Sequence, residues 1–171
     1  MTFVIIFVII LSVAYVHSLL SCNISDENFD SLYSLFEACD GVSWKWNSSE
    51  PNSSHWSFPN TLSAPCSDEW QGVTCTLFPD NSCSITEIKL VGMGLSGSLP
   101  SNISQLGDLT ALQLDHNDIH SSLPSEIGLL SDLNFLSLLY NNIGGTIPST
   151  IYSLTQMRTL ILGFNQLSGA A

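Results

Sequence analysis

Asp115 and His116 are neighbours and His120 follows close behind, a grouping whose residue types could hold and move a proton. The surrounding sequence does not support that chemistry. Adjacent residues of a strand point to opposite sides unless the chain is turning, and no motif places a serine or cysteine nucleophile beside them. The histidines (His17, His55, His116, His120) and the cysteines (Cys22, Cys39, Cys66, Cys75, Cys83) share no zinc-type spacing. No phosphate-cradling loop or dinucleotide glycine pattern occurs either, so neither a cofactor nor catalysis is expected. A different residue type stands out. Asn117 lies inside "LQLDHNDIHSSLP" (Leu112 to Pro124), among aliphatic residues made for burial, where an unpartnered amide costs about 1–3 kcal/mol.

That asparagine recurs. Asn117, Asn141 and Asn165 are 24 residues apart, and so are Pro100, Pro124 and Pro148. Ile103, Ile127 and Ile151 keep the same step, as do Leu106, Leu130 and Leu154, and Leu114, Leu138 and Leu162. Ile88, Leu112, Leu136 and Leu160 carry it through four copies. A step of this length carrying L-x-x-L-x-L-x-x-N is the leucine-rich-repeat signature. One coil cannot bury its leucines alone, whereas stacked coils share a continuous core.

Each copy has a mechanical reading. Leu112 and Leu114 alternate with Ala111, Gln113 and Asp115, the period of a strand with one buried face. Gly97 and Gly145 relax the backbone where the coil bends, and the prolines suit an edge position that needs no ladder donor. The segments Ile103 to Leu109, Ile127 to Leu133 and Ile151 to Met157 place apolar residues three apart, predicting a 3₁₀ turn on the outer side. Asn117, Asn141 and Asn165 then sit at the bend after each strand, as a structural ladder closing backbone hydrogen bonds that the turn leaves open. In the first copy Met93 takes this place.

The side chains between the leucines point onto the concave face. They form four columns: Glu87, Ala111, Phe135 and Thr159; Lys89, Gln113, Ser137 and Ile161; Val91, Asp115, Leu139 and Gly163; Gly92, His116, Tyr140 and Phe164. Phe135, Leu139, Tyr140, Ile161 and Phe164 make an apolar, aromatic end to this face, the usual mark of a contact surface, with Gln113, Asp115 and His116 as polar neighbours. These side chains could equally stack on one another or touch further repeats. Four strands at about 4.8 Å spacing, each about 15 Å long, expose a few hundred Å², against roughly 800 Å² per partner in a standard interface. A short peptide or one corner of a protein matches that area.

Charge and the N-terminal half bound the setting. Three Lys and Arg against fifteen Asp and Glu give a formal net charge of −12, which excludes nucleic acid, where affinity comes from cations meeting phosphates. The apolar run "TFVIIFVIILSVAYV" followed by "HSLLSC" reads as a secretory signal peptide over residues 1–18, although it lacks the usual basic start. A retained anchor and a loose likeness to a lipoprotein cleavage site are the alternatives, so a membrane enters only through an uncleaved signal or a later spanning segment. Export makes the cysteines disulfide candidates, and the sequons at Asn23, Asn47, Asn52 and Asn102 candidate glycosylation sites. The spacing of Phe29, Leu32, Phe36 and Cys39 predicts a helix over Asp26 to Cys39 that covers the first coil. Trp44, Trp46, Trp56 and Trp70 add bulk beside it, or alternatively a carbohydrate platform.

"LPSEIGLLSDLNFLSLLYNNIGGTIPSTIYSLTQMRTLILGFNQLSG" resembles plant-type extracellular leucine-rich repeats, with their L-S-G-x-I-P-x-x-I-x-x-L core. "PCSDEWQGVTC" (Pro65 to Cys75) is similar to that family's N-terminal cap, and "LYSLFEACDGVSWKW" (Leu32 to Trp46) to the cap helix of secreted and receptor-type members. The resemblance implies an α/β leucine-rich-repeat solenoid: a right-handed coil with a parallel sheet on its concave face, 3₁₀ or irregular turns on its convex face, and a disulfide-bonded helical N-terminal cap. It implies a Cys66–Cys75 bridge, and the two residues lie close together around Trp70, Gly72 and Val73. Cys39–Cys83 is the second pairing expected, although Cys83 and the insertion "TLFPDNSC" depart from the simplest cap.

The expected organisation is a signal peptide at 1–18, a cap at 19–84 and about three and a half repeats at 85–171, truncated at the C-terminal end, where Leu160, Leu162 and Leu167 would face water. The function the resemblance implies is a secreted or cell-surface recognition module, non-catalytic, binding a peptide or protein on its concave face, as in a receptor ectodomain. A co-receptor or a second copy is a candidate partner at the open end. The alternatives are an inhibitor of secreted cell-wall glycosidases, which would favour a more polar concave face, and a structural matrix protein.

Overall fold

Strand β2 (Cys83–Lys89) opens the stack. Strands β4 (Ala111–Gln113), β6 (Phe135–Ser137) and β8 (Thr159–Ile161) follow it as parallel neighbours. The computed structural model describes residues 24–46, 54–58, 65–67, 69–79 and 82–169. The expected signal peptide and the sequons at Asn23, Asn47 and Asn52 lie outside them. Among the described residues, no helix is long and apolar enough to cross a membrane.

The register matches the 24-residue columns. Glu87, Ala111, Phe135 and Thr159 are successive partners, as are Lys89, Gln113, Ser137 and Ile161. Between them Ile88, Leu112 and Leu136 point inward and are fully buried. They join one continuous core that runs from Leu32 in the cap to Leu154. Exposure rises along the stack: Leu162 and Leu167 are half-buried and Leu160 is exposed. The protein is a leucine-rich-repeat solenoid of the α/β class.

A second parallel sheet was not expected. It orders β3 (Ser96–Gly97), β5 (Asp118–Ser122), β7 (Asn142–Gly145) and β9 (Gln166–Leu167), just before the prolines. After η1 (Gly41–Ser43) in the cap, each proline starts a 3₁₀ turn: η2 (Ser101–Gln105), η3 (Ser125–Leu129) and η4 (Ser149–Ser153). These begin two residues earlier than the apolar spacing predicts. Proline holds the extended φ from which the N–H of Ile103, Ile127 and Ile151 closes onto the proline carbonyl.

Both sheet edges at the front are covered, which an exposed edge requires. Thr76, Leu77 and Cys83 of the insertion lie in an antiparallel pair of strands, in which β1 (Val73–Leu77) pairs with β2. Helix α1 (Asp26–Ala38) starts at Ser25, whose hydroxyl accepts from the Asn28 N–H at 3.2 Å. The carbonyls of Ala38 and of the cap residue Cys39 accept from the N–H of Ser98, just past β3, and of Ser96, in β3, at 3.1 and 3.0 Å. One contact thereby satisfies the helix end and the strand edge together. Gly97 permits it, because a Cβ there would lie 1.9 Å from the Ala38 carbonyl oxygen.

Gly97, Gly145 and Gly169 all have positive φ (133°, 71° and 114°), and the equivalent residue of the second coil is Ser121 at 71°. A residue with a Cβ is strained there by roughly 1–2 kcal/mol. Ser121→Gly is therefore expected to stabilise the fold by about 1 kcal/mol and to raise the melting temperature by about 2–4 °C, read by thermal unfolding. An unchanged or lower midpoint contradicts the strain argument.

Candidate recognition face

The bend after each concave strand is built around its asparagine. Asn117 Oδ1 accepts from Gly94 and Leu95 N–H of the preceding coil at 2.9 and 3.1 Å. Its Nδ2 donates to Leu90 O at 2.7 Å and to Leu114 O at 3.0 Å. Asn141 Oδ1 accepts from Ile119 N–H at 3.0 Å, and Asn165 Oδ1 from Ile143 N–H at 2.9 Å. Each amide ties its own turn to the coil before it.

This ladder fixes the residue just before it. Gly92, His116, Tyr140 and Phe164 are all left-handed, at φ 67°, 57°, 54° and 53°. The rings stack along the solenoid: His116 on Tyr140 at 4.6 Å between centroids, and Tyr140 on Phe164 at 4.1 Å, with interplanar angles of 22° and 16°. Tyr140 is 43% and Phe164 69% exposed. Phe135, Leu139, Ile161 and Gln113 are half-buried around this strip.

Asp115 departs from expectation. It stands in the third concave column but is only 6% exposed. Its carboxylate accepts from the Ser137 hydroxyl, from Leu139 N–H at 2.9 Å and from Gln113 Nε2 at 2.8 Å. It is a member of the wall and presents no free oxygen to a ligand. His116 stacks on Tyr140 instead of bonding to Asp115, so the two form no acid–base pair. Among the described residues, no group of His, Cys, Asp and Glu side chains is placed to hold a metal ion.

The cap supports the face without joining it. Cys66 and Cys75 are joined, with their Cα atoms 5.7 Å apart. The expected Cys39–Cys83 bridge is absent: Cys83 is disulfide-bonded, whereas Cys39 is free and buried. Cys39 closes α1, where its thiol lies 3.5 Å from Ser98 O and burial pushes it up to about 12. Trp44, Trp56 and Trp70 are buried, which removes them from any carbohydrate platform. Trp46 stacks on His55 at 5.1 Å. Asn102, on η2, is exposed and donates to Ser34 Oγ at 3.3 Å, which places that sequon on the convex side.

No family model matches the chain. A probable leucine-rich repeat receptor-like protein kinase of Arabidopsis thaliana is 35% identical over 90 residues, covering 53% of this chain and 8% of that protein. The chain thus spans a small part of that relative's length. Among solved structures, the LRR ectodomain of the receptor kinase SOBIR1 from Arabidopsis thaliana superposes with a TM-score of 0.66 at 23% identity, over 85% of this chain and 71% of that one. A chain of the BIR3–SERK2 complex from the same plant gives a TM-score of 0.61 at 30% identity, over 79% of this chain and 69% of its own. By its repeat and these likenesses, the chain belongs to the plant-type extracellular leucine-rich-repeat family.

Proposed function

We propose that the protein is an extracellular, non-catalytic recognition module that holds a peptide or protein partner on its concave face. Its organisation follows the expected signal peptide (1–18), cap (19–84) and repeats (85–171), as the ectodomain portion of a receptor. The observation that carries this reading is the exposed stack of His116, Tyr140 and Phe164 beside Phe135, Leu139 and Ile161. Aromatic side chains held by a rigid sheet lose little freedom on binding and dominate contact energetics. The likeness to a chain of a two-protein complex supports a partner of this kind. Of the four candidate glycosylation sites, Asn23, Asn47, Asn52 and Asn102, a glycan at Asn102 would stand on the convex side, clear of the partner.

Replacing Phe135 and Tyr140 together by Ala tests this reading. Secretion and the melting temperature are expected to hold within a few degrees, because neither side chain belongs to the buried core. Affinity for a partner captured on the wild-type protein is expected to fall by about 30-fold or more, the scale of losing a hot spot. Unchanged affinity in a normally folded variant places the contact elsewhere.

A further inference from the structure

Two features of the concave wall adjoin. The first is Asp115. The residue is only 6% exposed, and the three partners of its carboxylate, Gln113, Ser137 and Leu139 N–H, are all neutral. A buried carboxylate is ordinarily matched by a cation; this one is hydrogen-bonded by neutral dipoles alone. The second is the ring stack. His116 and Tyr140 share the left-handed backbone that each coil takes just before its asparagine, Gly92 and Phe164 included, and it holds three rings in one exposed row.

Both features act on one ligand chemistry. A carboxylate set into a low-dielectric wall projects a weakly screened negative potential over the face above it. Tyr140, the residue following Leu139, has both ring faces covered by His116 and Phe164, and its hydroxyl oxygen is the acceptor it carries for a guanidinium or ammonium N–H. The protein as a whole adds the same sign, with a formal net charge of −12. Lys89, in the column of Gln113, lies on the exposed side of β2 and bonds to none of these groups.

We infer that the concave face selects a cationic peptide segment, with an arginine or lysine side chain lying over the wall behind which Asp115 is buried and apolar side chains against Phe135 and Ile161. The inference rests on the concave-face reading above and names the chemistry of its ligand.

The probes are three blocked, fluorescein-labelled hexapeptides with identical alternating leucine and phenylalanine. The remaining positions carry arginine, its neutral isostere citrulline, or glutamate. Binding is read by fluorescence anisotropy. The arginine peptide is expected to bind at least tenfold more tightly than the citrulline peptide and the glutamate peptide more weakly still. Asp115→Asn, which keeps the side-chain shape, is expected to remove about tenfold of the arginine peptide's affinity and leave the citrulline peptide unchanged. Val91→Lys places a compensating charge in the same column, on a residue 37% exposed, without touching the hydrogen bonds of Asp115. It is expected to give the same loss, and it stands in should Asp115→Asn fail to fold.

Equal or tighter binding of citrulline or glutamate peptides, abolished by Tyr140→Ala, overturns the charge preference and leaves the concave face as the binding surface. Arginine-peptide binding indifferent to Tyr140→Ala, Asp115→Asn and Val91→Lys overturns both. Binding of none of the three peptides at millimolar concentration overturns the inference.

Discussion

Asn141→Ala is expected to destabilise the protein by about 2–4 kcal/mol. The estimate follows from what each atom of the amide leaves behind. Loss of Oδ1 orphans the Ile119 N–H, a donor buried between coils beside a side chain 1% exposed, at about 1–3 kcal/mol. Loss of Nδ2 is milder. Leu114 O keeps its bond from Asn117 and Leu138 O keeps its bond from Asn165, so each carbonyl gives up one of two donors. The neighbouring Asn142 is exposed, and its side chain bonds only to that of Gln166. Asn142→Ala is therefore the control, with an expected change within about 0.5 kcal/mol. Urea unfolding followed by far-UV circular dichroism separates the two. Equal effects at both positions contradict the ladder as the source of the stability.

Trp70→Ala is expected to cost about 3–5 kcal/mol, the range for removing a buried large aromatic. Trp70 is 2% exposed. It stacks on Trp56 at 5.6 Å and takes the edge of Phe58 at 4.9 Å, and Phe29 of α1 lies 6.2 Å away. Its backbone N–H, within the loop closed by Cys66 and Cys75, donates to Pro65 O at 3.0 Å. The cavity thus opens where helix, strand pair and disulfide meet. Coils in such a stack are stable only with their end faces covered, so loosening the cap weakens Ile88 and Leu90 behind it as well. Urea unfolding read by tryptophan fluorescence and by circular dichroism should show both signals lost together at a lower midpoint. A loss under about 1 kcal/mol would mean that the first coil stands without its cap.

The repeated columns were legible because periodicity encodes any contact between equivalent positions. Leu112 lies beside Leu136 and Ala111 beside Phe135 because both strands keep one step, and the asparagine ladder follows from the same arithmetic. What escaped the sequence depends on contacts between unlike positions. Alternation places Asp115 on the concave side, correctly for its backbone. Its burial comes from the Ser137 hydroxyl and Leu139 N–H of the next coil, bonds that no column predicts. The second sheet was missed because its strands are two to five residues long and have too little alternation to read. Cys39 follows the apolar face of α1, and that periodicity describes burial, not pairing. The thiol is enclosed at the helix end instead of reaching Cys83.

The central claim is that recognition belongs to the concave wall and not to the outer turns, and a photo-cross-linking measurement compares the two directly. Benzoylphenylalanine is placed either at Tyr140, 43% exposed on the inner face, or at Tyr152, 87% exposed on η4 of the outer side. Each protein is irradiated with the partner bound. The account predicts a covalent product from position 140 and none from position 152, although the second site is the more accessible. A product from 152 with none from 140 would contradict it.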